Sequence, residues 1–180
     1  MPDLAQVSPL LQRIYAARGI ISPIELETHL SALLPYHSLL GIKAAVKRFE
    51  TAFHQQEHIM IIGDFDADGA TSTALAVSAL RAMGAAKVSY LVPNRFIFGY
   101  WLTPELVDLA SQSQPSLIVT VDNGISSLEG AQHAKTYQMD VIITDHHLPG
   151  TTLPDACAIV NPNQVGDCFL SKHLDGVGEI

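Results

Sequence analysis

Two cysteines, one tryptophan and ten basic residues in 180 are what this chain has least of. Cys157 and Cys168 lack CxxC spacing, so no redox pair or zinc clip is indicated, and both are expected as small buried hydrophobes. No apolar stretch approaches the length of a membrane span, and the start Met1-Pro2-Asp3-Leu4 lacks the basic-then-apolar layout of a secretory signal. A cytoplasmic protein without a membrane partner is the expectation. Internal repeats and low-complexity linkers are missing too, and 48% hydrophobic residues suit an ordinary globular domain. Ten Lys and Arg against 18 acids leave a formal charge of −8, which speaks against an extended basic groove for a polyanion.

The acids are concentrated. Asp64-Phe65-Asp66-Ala67-Asp68-Gly69 follows the apolar run Ile59 to Ile62. Asp122-Asn123-Gly124 follows Leu117-Ile118-Val119, and Asp145-His146-His147 follows Val141-Ile142-Ile143. Bounded runs rich in Ile and Val read as buried strands. In an open parallel sheet, ligands sit outside the carboxyl ends of the strands. Three such ends bring at least four carboxylates and two imidazoles into one crevice, where they repel unless cations neutralise them. Carboxylate with imidazole suits Mn²⁺ or Mg²⁺, and the pattern reads as a two-metal hydrolase site.

Between these runs the pattern is helical. Residues up to the fifties read as helices, with Leu10, Leu11, Ile14 and Tyr15 at helical spacing and a second helix capped at Ser22-Pro23. A third helix runs from Leu39 to Phe53, with Lys43, Lys47 and Arg48 on its solvent side. Further helices are expected over Ala70–Met83, from Thr103-Pro104-Glu105, and over Ser127–Tyr137. Val88–Val92 and Ala158–Val160 complete the strands. The fold class is α/β: a mostly parallel sheet flanked by helices, preceded by a helical leader. Residues 1–56 are expected to form that leader, packing on a catalytic domain of residues 57–180 that is incomplete at its carboxyl end.

Asp-x-Asp-x-Asp-Gly also invites a calcium-loop reading, but loop position twelve is Leu75, where an EF-hand needs Glu, and a strand-like run precedes it. A polar turn capping the next helix would explain one Asp, not three. Asp122-Asn123-Gly124 alone is a common turn signal. Adjacent histidines alternate across a strand, so one of His146 and His147 is expected on a metal and the other toward substrate.

The three motifs resemble the first three motifs of the DHH phosphoesterases. The flanking segments Gly63–Leu75, Tyr90–Phe96, Leu117–Ser127, Thr144–Gly150 and Ala158–Asn163 resemble one branch of that family most, the exonucleases that degrade single-stranded DNA. The resemblance covers essentially the whole chain. It implies a Mn²⁺- or Mg²⁺-dependent enzyme with two ions, hydrolysing single-stranded DNA from its 5′ end in repair and recombination, beside helicase and single-strand-binding partners. Carried over, Asp64, Asp66, Asp122 and His146 would be metal ligands. Asp68 would be a further acid of the first motif, Asp145 would orient the histidines, and His147 would face the scissile phosphate or a metal. Asn94 and Arg95 would grip substrate phosphate.

Three departures stand out. Met60 occupies the position where many family members carry a His. Ile97 and Phe98 replace two acids, and Trp101 replaces a glycine, a costly exchange if the backbone there needs positive φ. The family's fourth motif, with another metal-ligating Asp, and its nucleic-acid-binding domain are not found in these residues. A metal-binding but weakly active or inactive fragment is therefore expected. The rivals are another DHH phosphoesterase, acting on oligonucleotides, cyclic dinucleotides or pyrophosphate, and a non-catalytic binding module.

Overall fold

Strands covered on both faces must be apolar on both faces, and the short Ile- and Val-rich runs here meet that condition. The computed structural model describes residues 7–27 and 29–179. It places β1 (His58–Gly63), β2 (Lys87–Leu91), β3 (Leu117–Val121), β4 (Asp140–Thr144) and β5 (Ala158–Val160) in one sheet of order β2-β1-β3-β4-β5. Every neighbouring pair is parallel. Alternation along the strands then feeds two cores. Ile59, Ile61, Leu117, Val119 and Ile142 pack on one face with α2 (Ile42–His54) and α3 (Ala67–Ala82). Met60, Ile62, Ile118, Val141 and Ile143 pack on the other with α5 (Pro104–Ser111) and α6 (Leu128–Thr136).

After β2 the chain crosses back over β1 to build the rest of the sheet. The strand order therefore reverses between β1 and β3, the place where open parallel sheets form a ligand crevice. Asp64 leaves β1 and Asp122 leaves β3 at that point. An almost wholly apolar cavity of about 300 Å³ between α2 and α3 offers no comparable set of reactive groups.

Compactness divides the chain between Pro35 and Tyr36. In the first unit, α1 (Pro9–Ala17) starts at Ser8, whose Oγ accepts from the Leu11 N–H. The cap at Ser22 forms as its residues dictate, with Glu25 Oε1 accepting from the Ser22 N–H at 2.8 Å. It opens only a four-residue 3₁₀ turn (Pro23–Leu26), not the second helix expected, because no buried apolar face extends it.

Two further expectations are corrected. Arg48 does not lie on the solvent side of α2: its side chain is 13% exposed and bonds Glu57 Oε2 and Asp140 Oδ2, each at 2.6 Å. Acids at the starts of two strands draw it inward, so it ties the helix to the sheet. Arg48→Met is expected to destabilise the protein by about 2 kcal/mol, read by urea unfolding, because two carboxylates lose their partner. Both cysteines are exposed and free rather than buried. They fall in the loop segments around β5, outside both cores. The Cys157 sulfur still turns inward, donating to the Val141 carbonyl at 3.0 Å, and burial pushes its thiol pKa up.

Candidate metal centre

Every strand used by the crevice ends by exchanging apolar residues for Asp, Asn and His, so chemistry begins where the core stops. Asp64, half-buried just after β1, turns Oδ1 onto the Phe65 N–H at 2.7 Å. Asp66 is the N-cap of α3, accepting from the Gly69 N–H at 2.9 Å through Oδ1. The helix-cap explanation thus holds for one oxygen of this Asp and leaves the other uncommitted. Asp68 stands in the first turn of the same helix.

Asp122 is the most constrained of the acids. It is 2% exposed and sits at φ +60°, a left-handed conformation that Asp and Asn adopt more readily than most residues. Its buried Oδ1 lies 3.0 Å from His146 Nε2, at ion-pair distance, and accepts no hydrogen bond. One donor atom each from Asp122, His146 and His147 falls within 4.8 Å of the others. His146 Nε2 is also 3.8 Å from Asp68 Oδ2. Both histidines therefore enter one cluster, with ring centroids 4.7 Å apart. The two rings lie side by side because β4 ends at Thr144, and the pleat no longer separates the two residues.

Asp145 is fully buried and saturated. Its Oδ1 accepts from the His147 N–H at 3.0 Å and from His147 Nδ1 at 2.7 Å, and its Oδ2 accepts from the Ile125 N–H at 2.7 Å. It thereby fixes His147 and binds the loop after β4 to the loop after β3; no bond of it to the His146 ring is among these. The His147 pKa is raised, first by the Asp145 hydrogen bond.

The Asp122 carboxyl is pushed up to about 7 by burial, then by the charges of Asp68 and Asp66, while His146 and His147 oppose the shift. A folded-state pKa above the unfolded value means that the folded protein keeps a proton the unfolded chain has lost. Stability of the metal-free protein should therefore fall as pH rises from about 4 to about 7 and then level, a loss on the order of 2 kcal/mol after solvent screening. Melting temperatures in chelator across that range check the sign.

A buried carboxylate oxygen that accepts no hydrogen bond and faces an imidazole, with more carboxylates beside it, fits a hard divalent cation. Asp122 and His146 would hold it, with Asp64 and Asp66 close enough for their charges to act on His147 and Asp122 respectively. Asn94 caps α4 (Arg95–Phe98) through Oδ1 on the Phe96 N–H. Arg95 lies over Phe65, 3.8 Å from the ring centroid, and is placed beside the first acidic loop rather than inside the cluster. Trp101 adopts φ +74°, the conformation that makes this residue costly by about 1 kcal/mol.

Several supporting residues escaped the sequence reading. Asn123 Nδ2 donates to the carbonyls of Ile62 and Val121, joining the ends of β1 and β3. Asn161 Nδ2 donates to the His147 carbonyl at 2.9 Å and Asn163 Nδ2 to that of His146 at 2.6 Å. The backbone N–H groups of Gly176 and Val177 donate to the two oxygens of Asp68, at 2.7 and 2.9 Å. A side chain at Gly176 would place Cβ 2.8 Å from Asp122 Cβ, so this turn closes tightly over the acids. The signal for the asparagines was available, since they follow β5 as the acids follow β1 and β3.

Comparison with known proteins agrees with this fold. Residues 58–171 match the DHH family, N-terminal domain. The single-stranded-DNA-specific exonuclease RecJ of Salmonella typhimurium is 57% identical over 175 residues, covering 97% of this chain and 30% of that protein. The crystal structure of an exonuclease RecJ bound to manganese superposes with a TM-score of 0.72 at 35% identity, over 81% of this chain and 37% of the other. RecJ from Thermus thermophilus, solved with Mn²⁺, gives 0.71 at 34% identity, over 91% of this chain and 22% of the other. The chain thus spans about 30% of the length of its curated relative. With three acidic motifs at the ends of three parallel strands and the family match across them, the chain belongs to the DHH family.

Proposed function

We propose that this chain carries the metal-binding crevice of an enzyme that hydrolyses phosphodiester bonds of single-stranded DNA from the 5′ end with Mn²⁺ or Mg²⁺, and that the chain by itself does so weakly at most. The observation that carries the reading is the buried Asp122 oxygen without a hydrogen-bond partner, set against His146 and ringed by other acids. Asp64, Asp66, Asp122 and His146 would hold two ions, with Asp68 kept beside them by the backbone N–H groups of Gly176 and Val177. When bound, such ions activate a water and neutralise charge on the phosphodiester.

The other side chains position and charge the site. Asp145 holds the Nδ1 proton of His147 and leaves Nε2 free to face the phosphate. His147, with its ring held by Asp145, stands where its imidazole can meet the phosphodiester or its leaving oxygen. Asn94 and Arg95 line the approach, where the guanidinium suits a phosphate. Met60 is 4% exposed within the core beneath α5, which gives that position no donor toward the crevice and disfavours a pyrophosphatase-like site. No described helix is long and apolar enough to cross a membrane. Action in the cytoplasm during DNA repair and recombination, with a helicase and a single-strand-binding protein, accompanies this reading.

The test is nucleotide release from a 5′-labelled single strand with Mn²⁺, comparing the chain with His146→Ala. Release that His146→Ala removes supports the reading. Release unchanged in the variant would contradict it, as would release from duplex at the same rate.

A further inference from the structure

One wall of the crevice has no part in holding ions. Phe65 and Tyr100, 41% and 56% exposed, flank the Arg95 guanidinium, which lies 3.8 Å from one ring centroid and 4.6 Å from the other. Such cation–π contacts hold a guanidinium in place while leaving aromatic area in water. Phe96, on the same turn, is 94% exposed. Trp101 meets His147 edge to face, with centroids 5.1 Å apart and planes at 88°. Trp101 is half-buried beside a reactive histidine and Tyr100 next to it is exposed, so aromatic surface faces the mouth of the site.

The backbone supports the same conclusion. Trp101 is held at φ +74° although Cβ makes that conformation unfavourable. The next residue over-determines it: Leu102 is 1% exposed, and its N–H donates to Ser127 Oγ at 2.9 Å. Strain kept by the surrounding core beside a reactive histidine is characteristic of a positioning role. Flat aromatic faces accept any unpaired base, whatever its sequence, whereas a base inside a duplex already has both faces covered by its neighbours.

We propose that Trp101 is a stacking platform for an unpaired nucleobase next to the scissile phosphate, an aromatic contact that a glycine at this position would not supply. This rests on the DNA-hydrolysing reading above and adds the subsite that recognises the base.

Trp101 is the one tryptophan of the chain, so its emission reports on this subsite alone. A short oligothymidylate and an abasic strand of equal length and charge, each labelled at the 3′ end, are titrated in Mg²⁺, since Mn²⁺ itself quenches indole. Label anisotropy gives binding, and indole emission gives stacking. The base-containing strand should quench Trp101 and bind about tenfold more tightly than the abasic strand, in line with the stacking energy of one base. Trp101→Leu should remove that tenfold difference and leave abasic binding unchanged. Trp101→Gly, which suits the positive φ, gives the same comparison if the leucine variant folds poorly. Equal affinity and equal quenching by both strands would overturn the platform while leaving the hydrolytic reading intact. No binding of either strand would overturn both.

Discussion

Asp122→Asn is expected to weaken Mn²⁺ binding by more than about 100-fold, beyond the loss seen when only an outer partner of a ligand is removed. The same substitution should raise the stability of the metal-free protein above pH 7. The two effects have opposite signs because one carboxylate causes both. Its buried Oδ1 lacks a hydrogen-bond partner, and its proton affinity is raised by burial and by Asp68 and Asp66. Asn keeps the shape and tolerates φ +60° while removing the charge. A gain of about 2 kcal/mol would lift the melting temperature by about 4–8 °C and flatten its fall between pH 4 and 7. Calorimetric Mn²⁺ titration and thermal melts in chelator read the two signs separately. A variant that loses metal affinity without gaining metal-free stability would show that Asp122 is not under electrostatic strain.

Gly69→Ala should be nearly as damaging by a different route. A Cβ there would stand 2.5 Å from the Asp64 carbonyl oxygen and 2.7 Å from Asp64 Cα. Those atoms are backbone and cannot rotate aside, so the loop from Asp64 to Asp68 must open. The expected cost is about 2–3 kcal/mol of stability, with Mn²⁺ affinity down by at least about tenfold as the first-motif acids move. Gly150→Ala is the control, because its nearest neighbour to a new Cβ is the Thr152 carbonyl oxygen at 3.8 Å. It should change stability by less than about 0.5 kcal/mol. Urea unfolding and calorimetry on the two variants would separate a local clash from a general intolerance of alanine.

Much of this was legible in the residues because the fold writes itself in local signals. Apolar runs at Ile59–Ile62, Leu117–Val121 and Val141–Ile143 announce strands, and caps such as Thr103-Pro104 announce helices. Each acidic motif directly follows its strand, so parallel topology alone carries all three to one edge. The unread part depends on contacts distant in sequence or on geometry after an element ends. Asp68 is bound by Gly176 and Val177, 108 and 109 residues away, and no local pattern encodes that pairing. His146 and His147 converge because the strand stops one residue before Asp145, a boundary too fine for periodicity to resolve. Arg48 reads as a solvent-facing residue from its charged helix face, while its partners Glu57 and Asp140 lie outside that helix. The amides of Asn161 and Asn163 support the histidine backbone, a purpose that only the folded loops reveal.

Locating the ion settles the matter most directly. A crystal grown with Mn²⁺, with anomalous scattering collected at the manganese edge, should show a peak within coordination distance of Asp122 and His146, in contact with the acids that follow β1. A peak elsewhere, or full manganese in solution with no peak in the crevice, would contradict the metal centre and the hydrolytic function built on it.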